Sequence, residues 1–240
     1  MNTKTSLGKL YLIPVTMGES DPMDVLPQTV KRAIELIDCY IVENEKTARK
    51  SIKAVLPEKK QSELVLFALN KHTDAKEHLS FIQPLLEGKN VGLMSEAGCP
   101  GVADPGAVIV KLAHEKGIQV IPLVGPSSIL LAMMASGMNG QSFTFNGYLP
   151  IDKSDKKSAL KNLEKLSFDK NQSQIFIETP YRNNKLLEDI LQALQPSTHL
   201  CIATDITLPT EYIKTLRASD WKKTKVDLHN RPTIFIIYKF

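Results

Sequence analysis

The strongest candidate for chemistry is the loop from Met94 to Gly106, which reads Met-Ser-Glu-Ala-Gly-Cys-Pro-Gly-Val-Ala-Asp-Pro-Gly. Its three glycines and two prolines hold the backbone in special conformations and keep bulky side chains away. A ligand could therefore approach the main chain closely. The same composition would also suit a tight strand-to-helix turn that needs glycine only for its shape. Because the glycine spacing matches neither the dinucleotide fingerprint nor the P-loop, no phosphate cradle is indicated.

A second motif, Gly125-Pro126-Ser127-Ser128, opens a predicted apolar helix. The first amides of a helix lack partners within the helix, so they could bind a carboxylate placed beyond the strand ends. Ser127 or Ser128 could equally act only as the N-cap. Met133 and Met134, further along this helix, are predicted to fill the core.

The elements that must position these motifs alternate along the first half of the chain. Short apolar runs predict strands at Leu10–Pro14, Cys39–Val42, Leu64–Leu69, Asn90–Leu93 and Ile118–Leu123. Apolar residues at helical spacing predict helices at Pro27–Ile37 and Ala107–Lys116. A basic helix is predicted after Lys46, through Arg49, Lys50 and Lys53, and another helix is predicted after Asp74 and up to Leu86. This alternation predicts a doubly wound, mostly parallel sheet, which binds ligands beyond the carboxyl ends of its strands.

The second half of the chain has a different pattern. Strands are predicted at Phe143–Tyr148, Gln174–Ile177, His199–Ala203, Glu211–Ile213 and Thr233–Tyr238, with helices at Ser158–Leu166 and from Thr179 to Leu194. Because the last strands have little helix between them, a mixed sheet with antiparallel members is expected. We therefore predict an α/β protein of two domains, residues 1–139 and 140–240.

Composition excludes several classes of protein. The 240 residues carry a net charge of +4, which permits an anionic partner without demanding one. The three cysteines are far apart and no histidines have metal-ligand spacing, so neither a disulfide framework nor a metal is predicted. A polar N-terminus and a longest apolar run of only residues 129–135 predict a cytoplasmic protein without membrane contact.

Six blocks occur in a characteristic order along the chain. They are Leu12-Ile13-Pro14 with Gly18, Glu43–Lys50, Ser95–Gly106, Gly125–Ser128, Gly147–Pro150, and Glu178–Arg182 with Leu187–Ile190. Together they resemble the tetrapyrrole methylase superfamily, and within it the branch that methylates the ribose 2′-hydroxyl of a cytidine in small-subunit ribosomal RNA. The resemblance covers roughly residues 8 to 240.

The resemblance implies a two-domain methyltransferase, usually a homodimer, with S-adenosylmethionine in a cleft that the C-terminal domain closes. Ribosomal RNA or the small ribosomal subunit would be its partner. The positions matching the family's cofactor motifs in the first half are Met94, Ser95, Glu96, Ala97, Gly98, Val102, Ser127 and Ser128. Those in the second half are Tyr148, Glu178, Ala203 and Thr233.

Several positions depart from the family pattern. Glu43-Asn44-Glu45-Lys46 replaces Glu-Asp-Thr-Arg, Gly18-Glu19 replaces Gly-Asn, and Glu96 replaces an aspartate. A His-rich motif is reduced to His72, and the C-terminal extension of many rRNA-modifying members is missing. Because several of these changes lie at the substrate mouth, the cofactor is better supported than the substrate.

Methyl transfer from a sulfonium is an in-line displacement in which orientation provides most of the catalysis. A ribose hydroxyl is a poor nucleophile and would profit from a general base. Glu19, Glu43, Glu45, Lys46 and His72 lie on loops at strand ends and are the candidates. We assign the catalytic role to Glu45, Lys46 and His72, although a lone histidine often serves only as a structural hydrogen bonder.

Lysine clusters could bind RNA phosphates. One comprises Lys153, Lys156, Lys157, Lys161 and Lys165, another Lys222, Lys223 and Lys225, and a third Arg49, Lys50 and Lys53. Such clusters are also common on solvated helix faces, and no aromatic stacking platform is evident in the sequence.

Three alternatives to an rRNA methyltransferase stay open. The altered mouth would suit a methyltransferase acting on a tetrapyrrole or another small molecule. The changed Glu43–Lys46 block would suit a cofactor-binding member that has lost catalysis. A nicotinamide-dependent enzyme is disfavoured because no Gly-x-Gly-x-x-Gly follows the first strand.

Overall fold

A computed structural model describes residues 6–70, 73–74 and 76–240. Their contacts divide the chain into two compact units, one that ends at Ser127 and one that runs from Ser128 to Phe240. Each unit is built around its own five-stranded sheet within these described residues.

The sheet of the first unit is entirely parallel. Its strands are β1 (Lys9–Leu12), β2 (Cys39–Val42), β3 (Val65–Ala68), β4 (Val91–Met94) and β5 (Gln119–Pro122), in the order β3-β2-β4-β1-β5. Leu12 pairs with Leu93 and Pro122, and Val42 pairs with Ala68 and Met94. All five carboxyl ends therefore lie at one edge, as the alternation of strands and helices predicted.

Six helices accompany this sheet in the described residues: α1 (Pro22–Val25), α2 (Gln28–Leu36), α3 (Glu45–Val55), α4 (Glu77–Phe81), α5 (Gln83–Leu86) and α6 (Ala107–Glu115). The predicted inner face of α2, made by Val30, Ala33 and Ile34 with Ile37 beyond its end, is buried. The single helix predicted before Leu86 is instead two short helices that meet at Ile82. Pro84 explains the break, because proline cannot donate to the preceding turn.

The sheet of the second unit is mixed, which confirms the prediction. Its strands are β6 (Phe143–Tyr148), β7 (Ser173–Ile177), β8 (His199–Thr204), β9 (Tyr212–Arg217) and β10 (Thr233–Tyr238), in the order β6-β7-β10-β8-β9. β6 and β7 are parallel, and the other pairs are antiparallel. The accompanying helices are α7 (Ser128–Ser136), α8 (Lys153–Asp169), α9 (Asn183–Ala193) and α10 (Ala218–Trp221).

Helix α7 contacts β8, β9 and β10, and the hydroxyl of Thr215 donates to the carbonyl of Ser136 at 2.7 Å. The contact boundary therefore precedes α7, whereas the sequence placed the domain boundary after residue 139. Met133 is buried, but Met134 is 78% exposed, so the prediction that both fill the core is wrong for Met134. α8 is longer than predicted because Asp152 caps it by accepting from the amides of residues 154 and 155.

Two features are absent from the described residues. No helix there is long and apolar enough to cross a membrane. No group of three or more His, Cys, Asp and Glu side chains in the same ranges could hold a metal ion.

Candidate functional site

The loop that follows β4 is held in shape by one carboxylate. Asp104 accepts hydrogen bonds from the amide of Gly101 on Oδ2 and from the amide of Gly106 on Oδ1, both at 2.7 Å. Gly101 and Ala103 adopt φ angles of 83° and 59°, a left-handed backbone that a side chain disfavours. Asp104 thus stabilises a conformation that the chain between two glycines would not keep by itself.

Three loops at the carboxyl edge of the parallel sheet pack together. The amide of Val15, after β1, donates to the carbonyl of Gly98 at 3.0 Å. The thiol of Cys99 donates to the carbonyl of Pro126 at 3.2 Å. A Cβ atom on Gly125 would lie 2.2 Å from the Cβ of Pro14, so only glycine allows this approach. The glycines therefore join neighbouring loops as well as shaping one turn.

Glu43 follows β2 directly and lies half-buried beside the loop after β4. Its Oε1 accepts the amide of Glu96 at 3.2 Å. Burial raises the pKa of the Glu43 carboxyl, and the neighbouring charges of Asp104 and Glu96 raise it further, against the lowering effect of the Glu96 hydrogen bond. A carboxylate with a raised pKa is a stronger base than an ordinary glutamate.

Among the described residues of the first unit, two neighbouring cavities bear on this site. The acidic cavity, of about 530 Å³, is lined by Glu43, Asn44, Asn70, Glu96, Ala103, Asp104 and Pro105. The first-loop cavity, of about 580 Å³, lies between the loop after β1 and helix α3, above the buried side chains of Leu26, Ile34 and Val55. Glu96 lines both cavities and accepts the hydroxyl of Thr47 at 3.4 Å.

The other candidates for the general base lie outside the acidic cavity or outside the described residues. Glu45 and Lys46 are exposed on the first turn of α3, which Asn44 caps by accepting from the amide of Lys46 at 2.9 Å. Neither residue lines the acidic cavity. Glu19 is exposed and pairs with Lys50 at 2.6 Å. His72 lies outside the described residues.

Glu43 is one of the five sequence candidates for the general base but not one of the three assigned that role, although one signal in the sequence favours it. It is the first residue after the fully buried strand β2, at the sheet edge where ligands bind. Its enclosure depends on the loop after β4, fifty residues further along the chain, which no local pattern reveals.

The predicted cofactor residues of the first unit cluster around the loop after β4. Met94 and Gly98 are buried, Ser95 is half-buried, and Glu96, Ala97 and Val102 are exposed. Ser127 is half-buried in the segment that follows β5, and Ser128 is the first residue of α7 in the second unit. The exposed and half-buried positions leave the main chain of the loop open to a ligand.

The predicted cofactor residues of the second unit share one edge of the mixed sheet. Tyr148 pairs with Ile177, which directly precedes Glu178, and Ile234, next to Thr233, pairs with both Ile177 and Ala203. The ends of β6, β7 and β8 and the start of β10 therefore meet there. We name this the Tyr148 edge.

Glu178 is the charged member of the Tyr148 edge. Its side chain is buried and accepts from the amide of Thr179 at 2.7 Å and from Nε of Arg182 at 3.1 Å. The ion pair with Arg182 and the hydrogen bond from the Thr179 amide offset the cost of burying this side chain at the sheet edge.

A parallel sheet with packed loops at its carboxyl edge, together with a mixed sheet in a second unit, defines the class of fold. The chain shares it with the crystal structure of uroporphyrin-III C-methyl transferase from Thermus thermophilus complexed with S-adenyl homocysteine. The TM-score is 0.58 at 16% identity, over 97% of this chain and 98% of the other.

The sequence profile of the tetrapyrrole (corrin/porphyrin) methylases matches residues 9–221, and the chain belongs to this family. A relative named ribosomal RNA small subunit methyltransferase I, from Buchnera aphidicola subsp. Schizaphis graminum, is 30% identical over 99% of this chain and 80% of its own length. The protein of the same name from Escherichia coli O157:H7 is 31% identical over 87% and 68%, respectively. The predicted family is confirmed, and these relatives carry the name expected for the predicted branch.

Proposed function

We propose that the protein transfers a methyl group from S-adenosylmethionine to the ribose 2′-hydroxyl of a cytidine in small-subunit ribosomal RNA. The observation that carries this proposal is the similarity, over 99% of the chain, to a relative named ribosomal RNA small subunit methyltransferase I. The fold neighbour with S-adenyl homocysteine, the product that such a donor leaves, supports the choice of cofactor.

The residues present fit this cofactor chemically. S-adenosylmethionine, when bound, supplies an electrophilic methyl group on a positively charged sulfonium. In the first unit, Ser95 and Ala97 leave the loop backbone accessible, and Glu43 and Glu96 favour a nearby cation. In the second unit, we assign the cofactor contacts to the Tyr148 edge, where Glu178 pairs with Arg182. The amides at the start of α7 would suit the carboxylate of the methionine moiety.

We assign the role of general base to Glu43. The carboxylate of Glu43 would accept the proton of the ribose hydroxyl while that oxygen takes up the methyl group, and the bound donor would leave as a neutral thioether. Burial, which raises the pKa of this carboxyl, increases its proton affinity. The contact with the amide of Glu96 fixes the orientation of the carboxylate. The catalytic role of Glu45, Lys46 and His72 stays a prediction.

The test is calorimetric titration with S-adenosylmethionine, with NAD as the control ligand, followed by transfer of labelled methyl groups. Small ribosomal subunits from cells that lack the gene serve as acceptor, and a uroporphyrinogen is the competing acceptor. We expect saturable binding of S-adenosylmethionine alone and label in ribosomal RNA. Label only in the uroporphyrinogen would establish the small-molecule alternative, and binding without turnover on either acceptor would establish a member that has lost catalysis.

We also propose that the protein is a cytoplasmic homodimer. Leu130 and Met134, four residues apart on one side of α7, are 53% and 78% exposed. Covering them in a second copy would remove apolar surface from water. Sedimentation of Met134→Glu should give monomers, whereas Met23→Glu, at an exposed methionine of the first unit, should sediment like the wild type. A wild-type protein that is monomeric at all concentrations would refute the dimer.

A further inference from the structure

Helix α8 presents a row of lysines at constant spacing. Lys153, Lys157, Lys161 and Lys165 follow one another at intervals of four residues, and all four are exposed. Successive members rise by about 6 Å along the helix and lie on neighbouring turns. We call these residues the lysine row.

Two ion pairs define the extent of the lysine row. Lys156, which the sequence grouped with the row, is buried instead and pairs with Asp189 at 3.4 Å, so it is unavailable to a partner. At the other end, Lys165 pairs with Asp169, an exposed contact that is worth little in water. Within the described ranges, no acidic side chain forms an ion pair with Lys157 or Lys161.

The lysine row leads into a cavity of about 590 Å³, the α8 pocket. It is lined by Lys161, Glu164, Lys165, Phe168, Ala193, Leu194, Gln195, Pro196 and Lys239. Glu164 is buried and accepts from the amide of Gln195 at 2.8 Å and from the hydroxyl of Thr198. Because these bonds hold its carboxylate inside, the pocket presents the ammonium groups of Lys161 and Lys239 to solvent, together with that of Lys165 in its exposed pair with Asp169.

An aromatic ring lies beside these ammonium groups. Phe168 is 59% exposed, and the Nζ of Lys239 lies 5.8 Å from the centroid of its ring. The same Nζ donates to Oε1 of Gln195 at 2.5 Å, which orients the Lys239 side chain. An exposed ring among cations can stack with a nucleobase. No such platform is evident in the sequence, because Phe168 and Lys239 come from distant parts of the chain.

The lysine row runs between the two opposite edges of the mixed sheet. β6 ends at the Tyr148 edge and β7 begins at the opposite edge, so α8, which joins them, runs back along the sheet. Lys239 follows the end of β10, whose first residue, Thr233, lies at the Tyr148 edge. At strand spacing, these two residues are about 20 Å apart. The α8 pocket is therefore separate from the proposed cofactor residues of this unit.

We propose that the lysine row and the α8 pocket form a track for single-stranded RNA, in which phosphates follow the row and a base stacks on Phe168. This inference rests on the proposed ribosomal RNA substrate and assigns the surface that holds RNA flanking the target nucleotide. Positive charge at regular intervals recognises a phosphate backbone, whereas an aromatic platform requires a base. The combination distinguishes RNA from a polyanion without bases.

The test measures fluorescence anisotropy of a short labelled oligocytidylate at several salt concentrations. Replacing Lys157, Lys161 and Lys165 by glutamine should reduce the slope of log affinity against log salt by about 2, since each phosphate contact on a single strand contributes about 0.7. The matched control replaces Lys222, Lys223 and Lys225 by glutamine, which removes the same charge elsewhere on the second unit, and should leave most of the affinity.

The second arm replaces Phe168, which is exposed enough to be changed without loss of the fold. Phe168→Ala should weaken oligocytidylate binding about fivefold or more, the lower range for loss of one base–aromatic stack. The same variant should bind inorganic polyphosphate like the wild type, and Phe168→Trp should retain RNA binding. Circular dichroism and the melting temperature verify that each variant is folded.

Three results would overturn the track. The first is a wild type that does not bind oligocytidylate, and the second is an equal loss of RNA affinity in the two triple variants. The third is a Phe168→Ala variant that keeps its RNA affinity, or whose affinity for polyphosphate falls as much as its affinity for RNA. Methyl transfer to small subunits separates this inference from the proposed function. If the wild type methylates ribosomal RNA and the track variants do so with unchanged KM, the track is wrong and the proposed function stands.

Discussion

Asp104 offers the sharpest test of how the loop after β4 is held. Its two carboxylate oxygens accept the amides of Gly101 and Gly106, each at 2.7 Å. In Asp104→Asn, one side-chain oxygen still accepts a hydrogen bond from one of these two amides. The side-chain NH₂ group faces the other amide, and because two donors cannot bond to each other, one charge-assisted hydrogen bond is lost. Such a bond is worth about 1.5–3 kcal/mol. Asp104→Ala removes both bonds, and the left-handed backbone at Ala103 then has no stabilising partner.

We expect the loss to fall on the loop and on its ligand. If binding requires the native loop, 1.5–3 kcal/mol corresponds to an S-adenosylmethionine Kd raised about 10- to 150-fold in Asp104→Asn, and more in Asp104→Ala. Calorimetric titration measures the Kd, and urea unfolding monitors the stability of the fold. Because Asp104 also raises the pKa of Glu43, removing its charge should lower that pKa and move the acidic limb of the rate profile to lower pH.

Asn139 supplies the matched control. Its Oδ1 accepts the amides of Gln141 and Ser142 at 3.0 and 3.4 Å, in a loop before β6 at the end of the mixed sheet opposite the Tyr148 edge. Asn139→Ala should lower the free energy of unfolding but leave the Kd for S-adenosylmethionine unchanged. If Asp104→Ala binds S-adenosylmethionine like the wild type, or if both variants weaken this binding equally, Asp104 does not hold the loop for the ligand.

Three further substitutions test other parts of the structure. Glu43→Gln should reduce methyl transfer about 10²- to 10⁴-fold. Because burial raises the pKa of Glu43, ionisation of this carboxyl opposes folding. This free-energy penalty is absent below the ordinary glutamate pKa and appears as the pH rises through the raised pKa of the folded state. Urea unfolding should therefore show Glu43→Gln at least as stable as the wild type at pH 7 but no more stable in acid, and a variant destabilised at pH 7 would contradict this. Gly125→Ala should lower the free energy of unfolding by about 1–3 kcal/mol, because the added Cβ would lie 2.2 Å from the Cβ of Pro14. Gly140→Ala, where the space around the glycine is open, should lower it much less. Equal melting temperatures for the two variants would contradict the close approach at Gly125. Trp221→Phe should cost about 1–3 kcal/mol in thermal unfolding, because it leaves a buried carbonyl in β8 without its 2.8 Å donor, and an unchanged melting temperature would refute that role.

The sequence itself determined the elements and the family. Apolar runs such as Cys39–Val42 and Thr233–Tyr238 form strands with the predicted bounds, because a run that is buried on both faces carries its own signal. The spacing of Val30, Ala33, Ile34 and Ile37 likewise identified a buried helical face. The ordered blocks predicted the family that the profile match confirms.

The tertiary structure alone decided which polar and apolar side chains are enclosed. Glu43 lies in the acidic cavity because the loop after β4 closes over it, and Lys156 is buried because α9 brings Asp189 to it. Likewise, the packing of distant segments leaves Met134 exposed and brings Lys239 next to Phe168. Burial and pKa depend on contacts between residues far apart in the chain, and periodicity along one segment carries no information about which distant segment will cover it.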